Sequence, residues 1–441
     1  MWHHFDISNW DSTDVDYSTE RAPITPSQIW MLQETVRAPH SPQFNVPVAL
    51  RLGPDVIPTD VVASLDAVCR THSILRSVIT IGEGARLFQL KERLDVAPNV
   101  TVDVVERSPS EFDLNKWMEQ QIYTAISPLG PYPLRAALLR LPSMEWLFLL
   151  VLHHIAVDGH SVRTIAREFI EELDQPGFLD GGPQPPQFAA WVLQQTSAAC
   201  AGAFDAAVQR WVTRLQDAAH APPLPFSANC HALDAPTKRA VRSYDRSDAE
   251  RLHRFMAEKS VPPVAVFCSV LLRWLHELDR VGPQVVAVQV DGRSDWALTR
   301  LVGPVATTLP LLVTIDANEC ANLLLHRVTE AFLDVCEDAD APMNDILSQL
   351  FETRESSFTL SRILLTLDQD ASFSETNTFR GQVEIERHLV PAPSLGPYDV
   401  AMSVRLTQGR FTVEAVVREP VAADKILNGW DQALNWVMCA S

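Results

Sequence analysis

The feature that most constrains the fold is an apolar segment that ends in two adjacent histidines. Apart from Glu145, residues 145–152 are all apolar, which is typical of a strand covered on both faces. The next residues read HHIAVDG (153–159), which we call the signature. Beyond it, apolar residues recur every three or four positions as far as Leu173, so an amphipathic helix is predicted there. A histidine at the end of a buried strand can meet a substrate while the scaffold holds it rigidly.

The residue types of the signature suit proton transfer. A neutral imidazole can take a proton from an amine or a hydroxyl, because its pKa lies close to neutral pH. If strand geometry persists, His153 and His154 point to opposite faces. Asp158 could orient an imidazole. Gly159 could allow the turn into the helix, or its N–H could stabilise an oxyanion. We interpret Ser161 as the helix N-cap. The sequence offers no convincing nucleophile elbow, so a covalent acyl-enzyme is not expected.

Composition excludes several classes of function. The net charge of −19 disfavours nonspecific binding to nucleic acid, and no basic run suggests an anionic membrane surface. The longest apolar stretch is too short to span a bilayer, and the N-terminus does not resemble a signal peptide. The seven cysteines are scattered without a CxxC pair, which indicates reduced thiols in a cytoplasmic protein and no zinc site. No metal is expected.

Glycine and proline mark the expected domain boundaries. Residues 1–22 are polar and acidic, and we predict a flexible N-terminal tail. Residues 176–187 are rich in glycine and proline, and we predict a linker. Predicted helices and strands occur on both sides of it, which indicates an α/β (α+β) fold. The expected lobes are residues 23–175 and 188–441.

Several segments resemble motifs of one family, in the family's order. They are ITPSQIWML (24–32), THSILRS (71–77), the signature HHIAVDG (153–159), QFAAW (187–191), DGRS (291–294), VGPVATTLP (302–310), DAP (340–342) and PYDV (397–400). The signature is similar to the HHxxxDG motif of nonribosomal peptide synthetase condensation domains, in the chloramphenicol acetyltransferase-like superfamily. The resemblance covers residues 24 to about 400.

This resemblance implies a fold and a mechanism. Two acetyltransferase-like lobes would form a V-shaped pseudo-dimer with the active-site channel between them. His154 would be the catalytic base and His153 structural, while Asp158 would form a buried salt bridge with Arg293 of the other lobe. The acyl group would arrive as a thioester on the phosphopantetheine arm of an acyl or peptidyl carrier protein, with no bound cofactor. A small-molecule or carrier-bound acceptor would receive it. Such a fold makes its own channel, so a monomer is expected.

Departures from the family pattern leave the substrate open. His160 replaces a usual Trp, Thr307 a usual Asn and Leu312 a usual Arg. The chain length suggests a free-standing enzyme that releases a finished chain in trans in nonribosomal peptide or hybrid polyketide biosynthesis. One alternative is an acyl-CoA-dependent small-molecule acyltransferase of the same superfamily. Another is a non-catalytic platform that recruits partners.

Overall fold

The chain folds into alternating helices and strands. The computed structural model describes residues 21–81, 88–92, 100–103, 113–130, 132–220, 237–278, 282–293, 295–316, 319–351, 360–369, 375–383, 385, 390, 395, 398–407, 409–419 and 422–439. The helices are α1 (Pro26–Arg37), α2 (Pro58–Thr71), α3 (Leu114–Tyr123), α4 (Gly159–Asp174), α5 (Phe188–Cys200), α6 (Asp205–Leu215), α7 (Arg246–Lys259), α8 (Pro263–Glu277), α9 (Ala321–Glu337), α10 (Met343–Leu350) and α11 (Ala423–Met438).

The strands in the described part of the chain form three sheets. They are β1 (Arg21–Pro23), β2 (Asn45–Leu52), β3 (Ser77–Ile81), β4 (Phe88–Glu92), β5 (Val100–Asp103), β6 (Leu134–Arg140), β7 (Trp146–His153), β8 (Thr237–Tyr244), β9 (Gly282–Val290), β10 (Thr307–Ile315), β11 (Ile363–Gln369), β12 (Phe379–Gln382), β13 (Val400–Thr407) and β14 (Arg410–Arg418). The strand orders are β1-β4-β3, β12-β2-β7-β6-β5 and β10-β9-β11-β13-β14-β8.

The chain divides into two compact units. Unit 1 is formed by the described residues of Met1–Ala201, Arg293–Val305 and Phe373–Pro391. Unit 2 is formed by those of Gly202–Gly292, Ala306–Ser372 and Ala392–Ser441. The chain therefore leaves unit 2 twice to complete unit 1.

Unit 1 is built around the five-stranded sheet. Strand β7 is buried along its whole length, as its apolar run predicts, and lies between β2 and β6. One core cluster packs Phe148 of β7 against Phe169 of α4, with ring centroids 4.5 Å apart. A second cluster places Met118 and Ile122 of α3 against the other face of the sheet. Strand β7 is thus held from both sides, and the residues that follow it start from a fixed point.

Unit 2 has the six-stranded sheet and its own core. In this sheet, β11 runs parallel to both β9 and β13, and the other pairs are antiparallel. Helix α8 is the most buried of the described helices, and α11 packs beside it with Trp430 fully buried. Each unit therefore combines a sheet with helices, in agreement with the predicted fold class.

The predicted division of the chain differs from these units. Helix α5, which was assigned to the C-terminal lobe, lies in unit 1, as do 293–305 and 373–391. The glycine- and proline-rich segment 176–187 carries no helix or strand, but it does not separate the units. Residues 1–20 of the predicted tail lie outside the described residues, and β1 begins at Arg21. Composition marks breaks in regular structure, whereas units are decided by packing.

None of the described helices combines the length and the apolar character that a membrane span requires. The pair α7 and α8 meets the length and composition criteria only when taken together, and it is bent by 104°.

Candidate active site

Strand β7 lies in the middle of the five-stranded sheet of unit 1, and the signature begins at its last residue. His153 is this last residue of β7 and lies opposite Asn45 of β2. The N–H of His153 donates to the carbonyl of Pro133 at 2.7 Å, and the N–H of His154 donates to that of Phe44 at 2.8 Å. Because neighbouring chain segments hold the backbone on both sides, the two side chains leave the sheet in defined directions.

His153 is enclosed in the core. It is 2% exposed, its Nδ1 accepts the N–H of Ile155 at 3.0 Å, and its ring lies against Phe44 with centroids 5.6 Å apart. Burial, with a smaller contribution from neighbouring His154, lowers the pKa of His153 to about 3. It is therefore neutral near pH 7 and is unsuited to exchange protons with a substrate.

His154 is only partly buried, and its surroundings differ from those of a catalytic triad. Its Nδ1 is shielded from solvent and has no hydrogen-bond partner among the described residues. A triad histidine has a carboxylate on one ring nitrogen. Here Asp158 does not fill that role, because its oxygens are bound elsewhere.

Asp158 and Arg293 form a buried ion pair. Arg293 Nη1 donates to Asp158 Oδ2 at 2.9 Å, and each side chain is 1% exposed. Asp158 Oδ1 also accepts from the Ser161 N–H at 2.8 Å, and Oδ2 accepts from the Val305 N–H at 3.0 Å. Arg293 Nη2 further donates to the carbonyl of Leu301 at 2.8 Å. The two residues thus form the salt bridge that the resemblance implies. Arg293, however, belongs to unit 1, whereas the resemblance placed it in the other lobe.

The N-cap of α4 is Asp158 and not Ser161, so that prediction is wrong. The helix begins at Gly159, and Asp158 caps it by accepting the Ser161 N–H. Aspartate is as good an N-cap as serine, and here the cap is shared with the ion pair. Ser161 is fully buried, and its Oγ accepts the N–H of Gly303 at 3.0 Å. Gly159 does not have a positive φ, so the turn does not require a glycine.

Residues that the sequence did not identify support the signature. Gln28 is fully buried and donates from Nε2 to the carbonyl of Ile155 at 2.9 Å. Gln28 also forms a capping box with Thr25, and a Thr-x-x-Gln pattern is a sequence signal for such a box. This signal marks the start of α1, but it does not reveal the contact with the signature.

The buried carboxylate of Glu168 holds α4 further along through two side chains. His72 Nε2 lies 2.6 Å from Glu168 Oε2, and Arg300 Nε donates to Glu168 Oε1 at 2.9 Å. Burial alone would raise the pKa of Glu168, but the hydrogen bonds and charges of His72 and Arg300 bring it below its usual value. Segment 293–305 is therefore held to both the start and the middle of α4. No local signal in the sequence links Arg300 to Glu168.

Comparison with known proteins identifies the family. A family model described as "Condensation domain" matches residues 18–421. The chain belongs to the condensation-domain family. The predicted family and fold class are thus confirmed. In the part that the structure describes, no cluster of His, Cys, Asp or Glu in this condensation domain is arranged to hold a metal ion.

The similar sequences are peptide synthetases that are much longer than this chain. The condensation domain is 24% identical over 426 residues to phosphinothricin tripeptide synthetase PhsC of Streptomyces viridochromogenes, with 90% of this chain and 37% of that protein covered. It is 26% identical over 333 residues to the probable non-canonical nonribosomal peptide synthetase CymA of Salinispora arenicola, with 73% of this chain and 4% of that protein covered. The chain thus corresponds to a part of each relative.

Solved structures share the fold at low sequence identity. The X-domain from teicoplanin biosynthesis has a TM-score of 0.77 at 17% identity, with 96% of both chains covered. The condensation domain of the monacolin K polyketide synthase MokA has a TM-score of 0.73 at 17% identity, with 95% of this chain and 96% of that chain covered. At these identities the likeness concerns the fold alone.

Proposed function

We propose that this condensation domain transfers an acyl group from a phosphopantetheine thioester on a carrier protein to an amine or a hydroxyl, forming an amide or an ester. The observation that carries the proposal is the contrast among the titratable groups of the signature. His153 and Asp158 are buried and bound to protein groups, whereas His154 is only partly buried. His154 is therefore the group of the three that is suited to meet an acceptor.

The chemistry follows from these placements. The acceptor attacks the thioester carbonyl carbon through its lone pair, and its proton passes to a ring nitrogen of His154. The carbon–sulfur bond then breaks, and the departing sulfur takes up a proton to leave as the phosphopantetheine thiol. His154 works without a carboxylate on Nδ1, so much of the acceleration would come from holding the two substrates in attack geometry.

Asp158 and Arg293 have a positioning role in this scheme. Their ion pair fixes the first turn of α4 and the segment around Leu301, and it offers neither group to a substrate. The N–H of Gly159 lies at the exposed start of α4, where it could stabilise the oxyanion of a tetrahedral intermediate. None of these groups needs a bound cofactor for its role.

Intact-protein mass spectrometry tests the proposal. Acyl-loaded carrier protein is incubated with the condensation domain and a panel of amines, alcohols and aminoacyl-carrier proteins. Loss of the acyl mass should require an acceptor, and His154→Ala should slow it by about 100-fold or more, as is usual when a general base is removed. His326→Ala is the matched control, because His326 lies on α9 with its side chain 68% exposed. Consumption of acyl-CoA in place of the loaded carrier would point instead to a small-molecule acyltransferase.

A second candidate function is recruitment without catalysis. One observation favours it: a teicoplanin X-domain, which is similar in fold to this chain, has been solved in complex with OxyB. A recruiting platform would still support product formation in a reconstituted pathway after His154→Ala. Product loss in that variant, with its folding intact by circular dichroism, would exclude this function.

A further inference from the structure

His154 lies in a tight turn that follows strand β7. The N–H of Ala156 donates to the carbonyl of His153 at 3.0 Å, so His154 and Ile155 are the two central residues of a β-turn. One hydrogen bond closes such a turn, and its central peptide groups are fixed only when they have further partners. The direction of the His154 side chain therefore depends on what holds the turn.

The backbone of the turn has such partners at each step. The N–H of His154 donates to the carbonyl of Phe44 at 2.8 Å. The N–H of Ile155 donates to His153 Nδ1 at 3.0 Å, and the carbonyl of Ile155 accepts from Gln28 Nε2 at 2.9 Å. Helix α1 thus holds the far side of the turn through the carboxamide of Gln28.

The amide nitrogen of Gln28 serves the signature and not the helix on which it lies. Gln28 Oε1 accepts the N–H of Thr25 at 3.0 Å in the capping box of α1. A glutamate would serve that box equally well, because the box needs only an acceptor at this position. The Nε2 donor is what distinguishes glutamine from glutamate, and this atom reaches the carbonyl of Ile155.

Packing does not explain a glutamine at this position either. Gln28 is fully buried and shares the buried side of α1 with Met31 and Leu32. A buried amide is unfavourable unless its polar atoms are hydrogen-bonded, whereas an apolar side chain of similar length has no such requirement. The two hydrogen bonds of the carboxamide therefore account for the glutamine, and one of them ends on the signature.

We propose that Gln28 is a positioning residue for His154: its carboxamide holds the carbonyl of Ile155 and so fixes the turn from which the imidazole meets the acceptor. This inference rests on the proposed function, in which His154 takes the proton of the acceptor. Gln28 is fully buried and acts through the turn, without touching a substrate. Loss of its contact leaves the binding of substrates intact and misplaces the imidazole, and a misplacement of about 1 Å can slow a reaction by about 100-fold.

The test separates kcat from KM in the mass-spectrometric assay. Gln28→Glu keeps the bond to the Thr25 N–H and sets an acceptor against the Ile155 carbonyl. Gln28→Met keeps the length of the side chain and loses both bonds. In each variant kcat should fall at least about ten-fold, whereas the KM values for the loaded carrier and for the acceptor should stay within about two-fold. If Gln28→Glu does not fold, Gln28→Met decides the test.

Two control variants in and beside α1 measure the effect of lost stability alone. Thr25→Val removes the hydroxyl that accepts the Gln28 N–H and leaves the Gln28 carboxamide in place. Met31→Ala removes a buried apolar side chain from the same side of the helix. Both should lower Tm and keep kcat within about two-fold at a temperature where the protein is folded. A wild-type kcat in Gln28→Met would overturn the inference, as would an equal fall of kcat in Met31→Ala.

Hydrogen–deuterium exchange distinguishes the failure of this inference from the failure of the proposed function. If the wild type acylates no acceptor, the proposed function fails, and the exchange of the amides of residues 154–157 decides the inference. These amides should exchange at least about ten-fold faster in Gln28→Met than in the wild type or in Met31→Ala, with no change at residues 147–151 of β7. Equal exchange of the turn in Gln28→Met and Met31→Ala would overturn the inference.

Discussion

Asp158 carries two structural tasks at the scale of a single residue. It caps α4 and it neutralises Arg293, with both side chains 1% exposed. A buried charge without its partner is costly, since the desolvation of the remaining ion is no longer offset. The pair is therefore sensitive to the loss of either member.

We expect Asp158→Ala and Arg293→Ala each to lower the free energy of unfolding by about 3–5 kcal/mol, because each leaves the other charge buried and unpaired. The double variant should lower the free energy of unfolding by less than the sum of the two single losses. Urea unfolding of the single and double variants gives these values as a double-mutant cycle. Additive losses would show that the two side chains do not stabilise one another.

The lowered pKa of His153 predicts that the stability of the protein depends on pH. Its pKa is about 3 in the folded protein, below the ordinary value of 6.5, so the unfolded chain binds the proton more readily. The part of the free energy of unfolding that depends on neutral His153 is fully present above pH 6.5. It is lost as the pH falls towards 3, at up to about 1.4 kcal/mol per pH unit. His153→Asn should flatten this part of the pH profile, and exposed His326→Asn should not. Identical profiles of stability against pH for His153→Asn and His326→Asn would contradict the lowered pKa of His153.

The site residues that lie close together in the sequence could be predicted. The types and order of His153, His154 and Asp158 pointed to a histidine at the end of a buried strand, and the structure has that arrangement. The contacts of Gln28 and Glu168 were not predictable from the sequence alone. Their partners, Ile155 and Arg300, lie more than a hundred positions away, and no periodicity encodes such pairings.

At the scale of elements, the strand with the strongest local signal was predictable from the sequence, whereas two other strands of its sheet were not. Strand β7 has a continuous apolar run, which is typical of a buried strand, and the strand in the structure begins with that run at Trp146. Strand β2 has no such signal, because Pro47 lies within it, and proline argues against a strand that is paired on both sides. Strand β12 pairs with β2 from far along the chain, and its sequence alone does not mark it as a strand of unit 1.

Segment 293–305 packs against α5 so closely that one glycine is obligatory. A Cβ on Gly303 would lie 2.1 Å from Phe188 Cδ2, a distance that real Cβ atoms essentially never show. Gly303→Ala should therefore destabilise unit 1 by about 1–3 kcal/mol or more, as overpacking of a core does. Thermal unfolding measures the loss, with Gly181→Ala as the control, because its Cβ would meet nothing closer than 3.7 Å. Adding Phe188→Leu should recover part of the loss, and no recovery would locate the strain elsewhere.

At the scale of the whole molecule, neither unit is a continuous piece of chain. The segment Met1–Ala201 contributes most of unit 1, but Arg293 and β12 reach it from beyond the first segment of unit 2. A boundary drawn from composition would therefore cut through the support of the signature. The first half of the sequence therefore depends on segments 293–305 and 373–391 of the second half to complete unit 1.

A fragment consisting of residues 1–201 should consequently fail to fold cooperatively. It would bury Asp158 without Arg293, at a cost of about 3–5 kcal/mol, and would leave one edge of β2 without β12. Typical domains are stable by only about 5–15 kcal/mol, so these losses take up much of that range. Near-ultraviolet circular dichroism and thermal scans of the fragment, beside the whole chain, test this. Co-expression of residues 202–441 should restore a cooperative transition, because that piece supplies both missing segments. A fragment that unfolds cooperatively alone would show that segments 293–305 and 373–391 add to unit 1 without completing it.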